Sequence, residues 1–489
     1  MGISGLYKVL EDVSWTIDLR NLSKLHSDKD EKKVRVAIDG NVWIAKACHT
    51  FAVSMAVDSH QLSRYQTMLH ASNNNNNNNN NDSKEEEDGL DKKKIQDYVY
   101  ECSQWVCDQI QRLCLYEGMD IIVVFDGKTP PLKQQCSNQR KEKRQQAADA
   151  LLTTENVETR IQLAKRSGGN ETYPLIVGCL LELLESHSIP VLVAPYEADA
   201  QLMYLSQNGY VDVILTEDSD LYLTCPLIFT KYESHSGTVQ LIRQIDLGAC
   251  TTSNLLDMSP LQSILIMIAA GCDYCSSLPG IGIRTAIKVI QSAFLLTTNS
   301  QTNHVILLPQ IFQELYHHSS TTTNKKDHDE YELQFMKAII LLRHAIVFCP
   351  IQKQCIMMNH PNENDPDHFL LCQHPPYQEF FQNSNNHTLS DIIGTPIHDN
   401  DKAISIATGK CNPKTNEPYL TLNNNNDTSM EEDSPLSPLD EFNSQPDHTN
   451  NTTTNLSDIE SPEAEKSPPL LSSPERKRKK IETSVLRQE

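Results

Sequence analysis

The sequence predicts an α/β fold, with a mostly parallel central sheet flanked by helices, on three observations. Short β-branched apolar runs recur without polar alternation, as strands covered on both faces require. Helical patterns separate these runs. Each run also stops at carboxylates: VRVAIDG at Asp39, IIVVFDG at Asp126, VLVAPYEAD at Glu197 and Asp199, and VDVILTEDSD at Asp218 and Asp220. A further acid, Asp273, follows the apolar run ILIMIAAGCDY. In open α/β sheets the functional crevice lies outside the carboxyl ends of the strands, so these acids are expected to converge.

Taken in order, residues 1–54 read as an entry segment, a strand ending at Asp39 and a helix beginning near Val42. Residues 55–93 turn polar around nine consecutive asparagines, Asn73 to Asn81, followed by SKEEEDGLDKKK. A tract that buries nothing is expected to be a disordered insertion. Residues 94–132 return to the domain with a helix from about Ile95 to Tyr116 and the strand before Asp126. Residues 133–173 are polar and helical with few large apolar side chains, which suits an element standing off the core. The densest αβ pattern and a compact helical motif fall in 174–300. A second polar insert, HHSSTTTNKKDHDE, lies in 301–422, before the helix around YELQFMKAIILLRHAIVF. Residues 423–489, rich in Asn, Ser, Pro and acid, are expected to form a disordered tail.

Composition narrows the function class. Fourteen scattered cysteines, with a single C-x-x-C at Cys272 and Cys275, form neither a disulfide framework nor a paired zinc site. No apolar run approaches membrane-spanning length, and MGISGLYKVL lacks the layout of a signal peptide. Leu6 stands where a myristoylation motif wants Ser or Thr. The net charge of -22 does not exclude a nucleic-acid partner, because association depends on local fields and base is concentrated apart from acid.

Seven carboxylates, Asp39, Asp126, Glu197, Asp199, Asp218, Asp220 and Asp273, cannot all stay ionised at close range without cations. Any one of them alone reads equally as a helix cap or turn residue; the recurrence at strand ends is what points to hard divalent ions. Magnesium takes oxygen ligands and binds through a few carboxylates plus substrate phosphate. Two such ions about 4 Å apart clamp the attacking and leaving oxygens of an in-line displacement at phosphorus, so the set suits phosphodiester hydrolysis. In PLKQQCSNQRKEKRQQ, the spacing of Lys133, Arg140 and Arg144 puts all three on one helix face, with Lys141 and Lys143 beside it. Such a stripe is either a solvated face or a phosphate contact, and its place directly after VVFDG favours the latter. The LPGIG turn leaves Gly280 and Gly282 free to bring backbone N–H groups against a phosphate without reading sequence. No G-x-S-x-G elbow is present.

With MGISGL, VAIDG, VVFDG, APYEADAQ, TEDSD and GCDY…LPGIG in this order, the chain resembles the flap-endonuclease (XPG) superfamily, and most of all its exonuclease 1 branch. The likeness covers about residues 1 to 420 apart from the inserts. It implies a helical arch over 133–173 and a helix-two-turn-helix DNA-binding motif around SSLPGIG. It also implies that the seven acids bind two Mg2+ ions, with Mn2+ able to substitute, and that Lys133 and Arg140 act on the scissile phosphate. Gly2, once Met1 is removed, would lie beside the site, and a K+ ion would sit at the helix-two-turn-helix. The implied activity is 5′-to-3′ exonuclease and 5′-flap endonuclease action in DNA repair, by a monomer acting in the nucleus on duplex DNA with 5′ ends, nicks, gaps or flaps. Mismatch-repair proteins would be partners, with no membrane involved.

Some positions depart from that pattern. Ala45 replaces a wedge histidine, Asn41 a tyrosine and Cys349 an aspartate. A structure-specific DNA-binding protein of weak catalysis, or a flap or junction endonuclease, are therefore the alternatives. The tail carries Ser-Pro dipeptides at Ser434, Ser437, Ser461, Ser467 and Ser473 and a basic cluster, Arg476 to Lys480, which reads as a nuclear localisation signal open to regulation by phosphorylation.

Overall fold

The computed structural model describes residues 2–24, 33–57, 85–167, 172–250, 258–299, 307–320, 325–359, 366–381 and 389–420. The chain divides into two units, Met1–Asn450 and Asn451–Glu489, and all described residues belong to the first. The asparagine run, the Ser-Pro tail and the basic cluster Arg476 to Lys480 lie outside the described residues.

Seven strands form one sheet in the order β1-β7-β6-β5-β2-β3-β4. The four expected strands are β2 (Val34–Asp39), β3 (Met119–Phe125), β4 (Val191–Val193) and β5 (Val213–Leu215). They run parallel, with β2 held between β3 and β5 and β4 outside β3. Their apolar residues explain the position: Val36, Ala37, Ile38, Val123, Val124, Val213 and Ile214 are fully buried, as strands covered on both faces must be. The β6 strand (Leu227–Glu233) continues the parallel order beside β5. Beyond it, β7 (Thr238–Arg243) and β1 (Ser14–Asp18) add an antiparallel edge that the apolar runs did not reveal.

Two Asp-Gly strand ends have a packing reason. A Cβ on Gly127 would overlap the carbonyl oxygen of Ala194, and one on Gly40 would come within 2.5 Å of the Phe125 ring. Glycine therefore lets the chain turn away immediately after Asp126 and Asp39 while the neighbouring strand passes close by.

The helix Ala198–Gln207 follows β4 and carries Gln201, which is fully buried. Its amide nitrogen donates to the Phe348 carbonyl (2.9 Å), and its amide oxygen accepts from the Phe348 N–H (2.8 Å). Phe348 lies in β8 (Ile346–Cys349), which pairs with β9 (Gln354–Met357) in a second, two-stranded sheet. One side chain thus ties the late segment of the chain to the helix that carries Asp199. A Gln201→Ala variant, which strands two buried backbone groups, is expected to lose about 2–4 kcal/mol in urea unfolding. Cys349, at the end of β8, is buried with its thiol 3.7 Å from the Tyr210 hydroxyl.

Two expectations are corrected. The helix placed at Ile95 begins ten residues earlier, as Glu85–Cys114, so the acid and lysine run at the end of the expected insertion is helical; it consists largely of good helix formers. The segment after Lys133 does not stand wholly off the core. It forms the helices Gln134–Thr153 and Val157–Ser167, and the second packs against the helix Gly40–Val57. Ala147, Ala148, Leu151 and Ala164 are buried there, mostly small apolar residues that supply a contact face with one large side chain.

Candidate active site

Six of the seven carboxylates lie at or just beyond the carboxyl ends of β2 to β5, and Asp273 joins them from the turn after the helix Pro260–Ala270. Asp39, the last residue of β2, is buried, and its Oδ2 accepts a 2.9 Å hydrogen bond from Thr216 Oγ1. The same hydroxyl accepts from the Asp218 N–H (3.0 Å), so one threonine fixes the ends of β2 and β5 relative to each other. Asp126 Oδ1 accepts from the Ala198 N–H at 2.8 Å, at the start of the helix that carries Asp199, where the helix dipole favours an anion. Asp218 Oδ1 caps the short turn Ser219–Leu221 by accepting from the Asp220 N–H (3.2 Å). The capping role open to each acid is therefore real for Asp126 and Asp218, and it coexists with their convergence.

Lys133 and Arg140 reach into this cluster from the other side. The Lys133 ammonium donates to Glu197 Oε1 and lies 3.2 Å from Asp273 Oδ2. Arg140 bonds both oxygens of Asp273, at 2.9 Å to Oδ2 and through a second nitrogen to Oδ1. Lys133 ends the short turn Pro131–Lys133 and Arg140 lies within the following helix, so the pair does not share one continuous helix. Lys143 is exposed and Arg144 half-buried; neither pairs with a carboxylate among the described residues.

Charge is unevenly balanced across the cluster. Burial, with Asp126 nearby, pushes the Asp39 carboxyl up to about 7, and burial with Asp218 and Asp273 does the same to Asp220. Asp199 is also pushed up, by burial first and then by Asp218 and Asp39. Burial raises Glu197 against the opposing pull of Lys133. Burial alone would raise Asp273 too, but Lys133 and Arg140 outweigh it and hold that carboxyl below the ordinary range. Asp39, Asp126, Asp199 and Asp220 have no ion pair among the described residues, whereas Glu197 and Asp273 are neutralised from within the chain.

That imbalance tests whether a divalent cation fits. Asp220 Oδ1 is buried without a hydrogen-bond partner among the described residues, a costly state that a cation would relieve. The donors are all carboxylate oxygens, the chemistry magnesium and manganese take. Among the described residues no three such groups stand where one ion could be held as the side chains lie, and two of the seven, Glu197 and Asp273, face Lys133 and Arg140.

Gly2 lies against Asp218: a Cβ there would overlap Ser219 Oγ and come within 2.5 Å of Asp218 Oδ1. The LPGIG turn joins the helices Pro260–Ala270 and Ile283–Asn299. Gly280 has φ +86°, which favours glycine, and a Cβ on Gly282 would meet nothing within 4 Å, so that backbone faces open space. The Pro279 carbonyl accepts from the Ser320 N–H (2.9 Å) and Ser319 Oγ (3.2 Å), which ties the turn to the helix Leu307–His318 and the residues just after it.

Sequence reasoning missed three side chains that position this site. Thr216 is one. Tyr274 donates its hydroxyl to Glu197 Oε2. Asn41 Oδ1 accepts from the Tyr173 hydroxyl and, at 3.4 Å, from the Asp126 N–H, so the residue that departs from the family pattern is engaged at the site. Ala45, one turn along, is exposed. Arg284 and Lys288, exposed at i, i+4 just after Gly282, add charge beside the LPGIG turn. Their spacing was legible; the tyrosines' roles were not.

Residues 188–273, which contain four of the acids from Glu197 to Asp220 and end on Asp273, match the XPG I-region. Exodeoxyribonuclease 1 of Schizosaccharomyces pombe is 29% identical over 304 residues, 61% of this chain and 46% of that protein. Exonuclease 1 of Oryza sativa subsp. japonica is 34% identical over 185 residues (36% and 21%), and that of Xenopus laevis 31% over 264 residues (53% and 34%). The chain thus spans less than half the length of these curated relatives. Among solved structures, the catalytic core of Rad2 in complex with DNA substrate overlaps loosely, at TM-score 0.38 and 19% identity over 68% of this chain and 86% of that one. The matched I-region and the recurrence of exonuclease 1 proteins among the relatives make the chain similar, over that region, to the flap-endonuclease (XPG) nucleases.

Proposed function

We propose that the protein is a divalent-metal-dependent nuclease that hydrolyses phosphodiester bonds of duplex DNA from the 5′ side and also cuts 5′ flaps. The observation that carries this reading is the convergence of six carboxylates at parallel strand ends and of Asp273 after a helix, with Lys133 and Arg140 reaching into them. The names of the relatives, exonuclease and exodeoxyribonuclease, support DNA as the substrate and attack from an end.

Asp39, Asp126, Glu197, Asp199, Asp218, Asp220 and Asp273 would hold two Mg2+ ions, or Mn2+ in their place. When bound, such ions activate water and stabilise charge at phosphorus. The chain's own residues do the rest. Lys133 and Arg140 offer charge-assisted hydrogen bonds to the scissile phosphate, and a guanidinium can take two of its oxygens at once. Lys143 and Arg144 extend the basic surface along the helix that would form the arch. Gly280 and Gly282 present backbone to the duplex phosphates, and Gly2 leaves room beside Asp218 that any other residue would fill. A role in repair within the nucleus, with mismatch-repair partners, belongs to the same reading.

The test is a duplex with a recessed 5′ end, labelled separately on each strand, incubated with magnesium or with EDTA beside Asp218→Ala. Release of mononucleotides from the 5′ side with magnesium alone, abolished in the variant, is expected. Tight binding without cleavage would replace this reading with that of a DNA-structure sensor, and a preference for long flaps over recessed ends would make the protein a flap or junction endonuclease.

A further inference from the structure

Glu197 has both carboxylate oxygens engaged by the chain: Oε1 by the Lys133 ammonium and Oε2 by the Tyr274 hydroxyl. The Lys133 nitrogen also stands 5.7 Å from the centre of the Tyr274 ring, within the range of a cation–π contact. Tyr274 therefore touches both members of the ion pair, one through its hydroxyl and the other through its ring. It follows Asp273 directly and lines a small cavity of about 30 Å³ together with Glu197, Asp199 and Asp220.

We propose that Tyr274 is a positioning residue that lets Lys133 change partners. This rests on the metal-dependent reading above. As the side chains lie, Lys133 is the counterion of Glu197 and Asp273 and is not available to a substrate. A divalent ion held by the acid cluster would compete with the ammonium for Glu197. Through Oε2 the Tyr274 hydroxyl keeps Glu197 oriented during that exchange, as outer partners of metal ligands do. The ring meanwhile keeps the displaced ammonium close by, facing the phosphate instead of the carboxylate. Without the ring, a flexible four-carbon stem would carry the charge into solvent.

Three variants separate the two roles, each in the full chain and each checked for wild-type thermal unfolding in EDTA. Tyr274→Phe keeps the ring and loses the hydroxyl. Its magnesium affinity, read by calorimetry, is expected to fall about tenfold. In this background Lys133→Ala should still reduce the cleavage rate by the same factor as in the wild type. Tyr274→Leu removes the ring as well, and there Lys133→Ala should cost at most a small fraction of that factor, because the ammonium is already misplaced. Wild-type magnesium affinity in Tyr274→Phe, or an undiminished effect of Lys133→Ala in Tyr274→Leu, would overturn the proposal. The calorimetric arm does not depend on catalysis, so a protein that binds magnesium without cutting DNA would sink the nuclease reading while leaving the hydroxyl's role to be scored. If Tyr274→Leu unfolds early, Tyr274→Met supplies an unbranched apolar side chain without a π face for the same comparison.

Discussion

Replacing Lys133 with alanine is expected to lower kcat by about 10²–10³, the usual cost of removing one preorganised donor to a charge that develops in the transition state. The same variant should bind magnesium more tightly, because the ammonium that occupies Glu197 and neighbours Asp273 is gone and the two carboxylates are free for an ion. Opposite signs in two measurements make the expectation sharp. Single-turnover cleavage gives the first and calorimetric titration without DNA gives the second. If affinity and rate fell together, Lys133 would be holding the acid cluster in shape and not serving the substrate. Arg140→Ala should behave likewise through Asp273, with a smaller gain in affinity, since Lys133 still faces that carboxylate.

The second large effect is on stability against pH in EDTA. Asp39 and Asp220 are pushed up to about 7, chiefly by burial and then by neighbouring acids, from an ordinary value near 3.8. Between about pH 4 and 7 the folded protein therefore holds protons that the unfolded chain has released, and stability falls as pH rises through that window. A shift of this size is about 4 kcal/mol for one such group, and the effect of the two together is less than twice that because they sit in one repelling cluster. Asp273 has the other sign: Lys133 and Arg140 outweigh its burial, so its contribution is present above about pH 4 and is lost as pH falls through its depressed value. Urea unfolding at pH 5 and pH 8 in EDTA should show the metal-free protein weaker at pH 8. Magnesium should reverse the order, because it binds only the ionised carboxylates. A metal-free protein that is more stable at pH 8 would show that the acids are neutralised by something other than protons.

The strand ends were legible because local composition decides them. β2 to β5 are β-branched runs whose burial leaves no alternative, and each acid follows its run by a residue or a few. The edge was not legible in the same way. β1 is five residues of SWTID whose partner, β7, lies more than two hundred residues later, and no local pattern can announce a pairing of that range. The hairpin of β6 and β7 did carry a local signal, alternation in TVQLIR after a Ser-Gly turn, but short mixed strands at an edge are weaker than a buried apolar run. The same division holds at the site. Carboxylates and the place of Lys133 and Arg140 directly after VVFDG could be read along the chain, whereas Tyr274, Tyr173 and Thr216 matter only through oxygens that the fold brings to them.

Gln201 also decides where the chain can be shortened. Its amide needs the peptide of Phe348, nearly 150 residues away, and it sits two positions from Asp199. A fragment engineered to stop before Ile346 would keep all seven acids in its sequence and still expose an unmatched amide at the foot of the helix that presents one of them. The smallest autonomous catalytic piece is therefore set by a seam far downstream of the last acid, and a boundary drawn at the end of the I-region would divide a single folding unit.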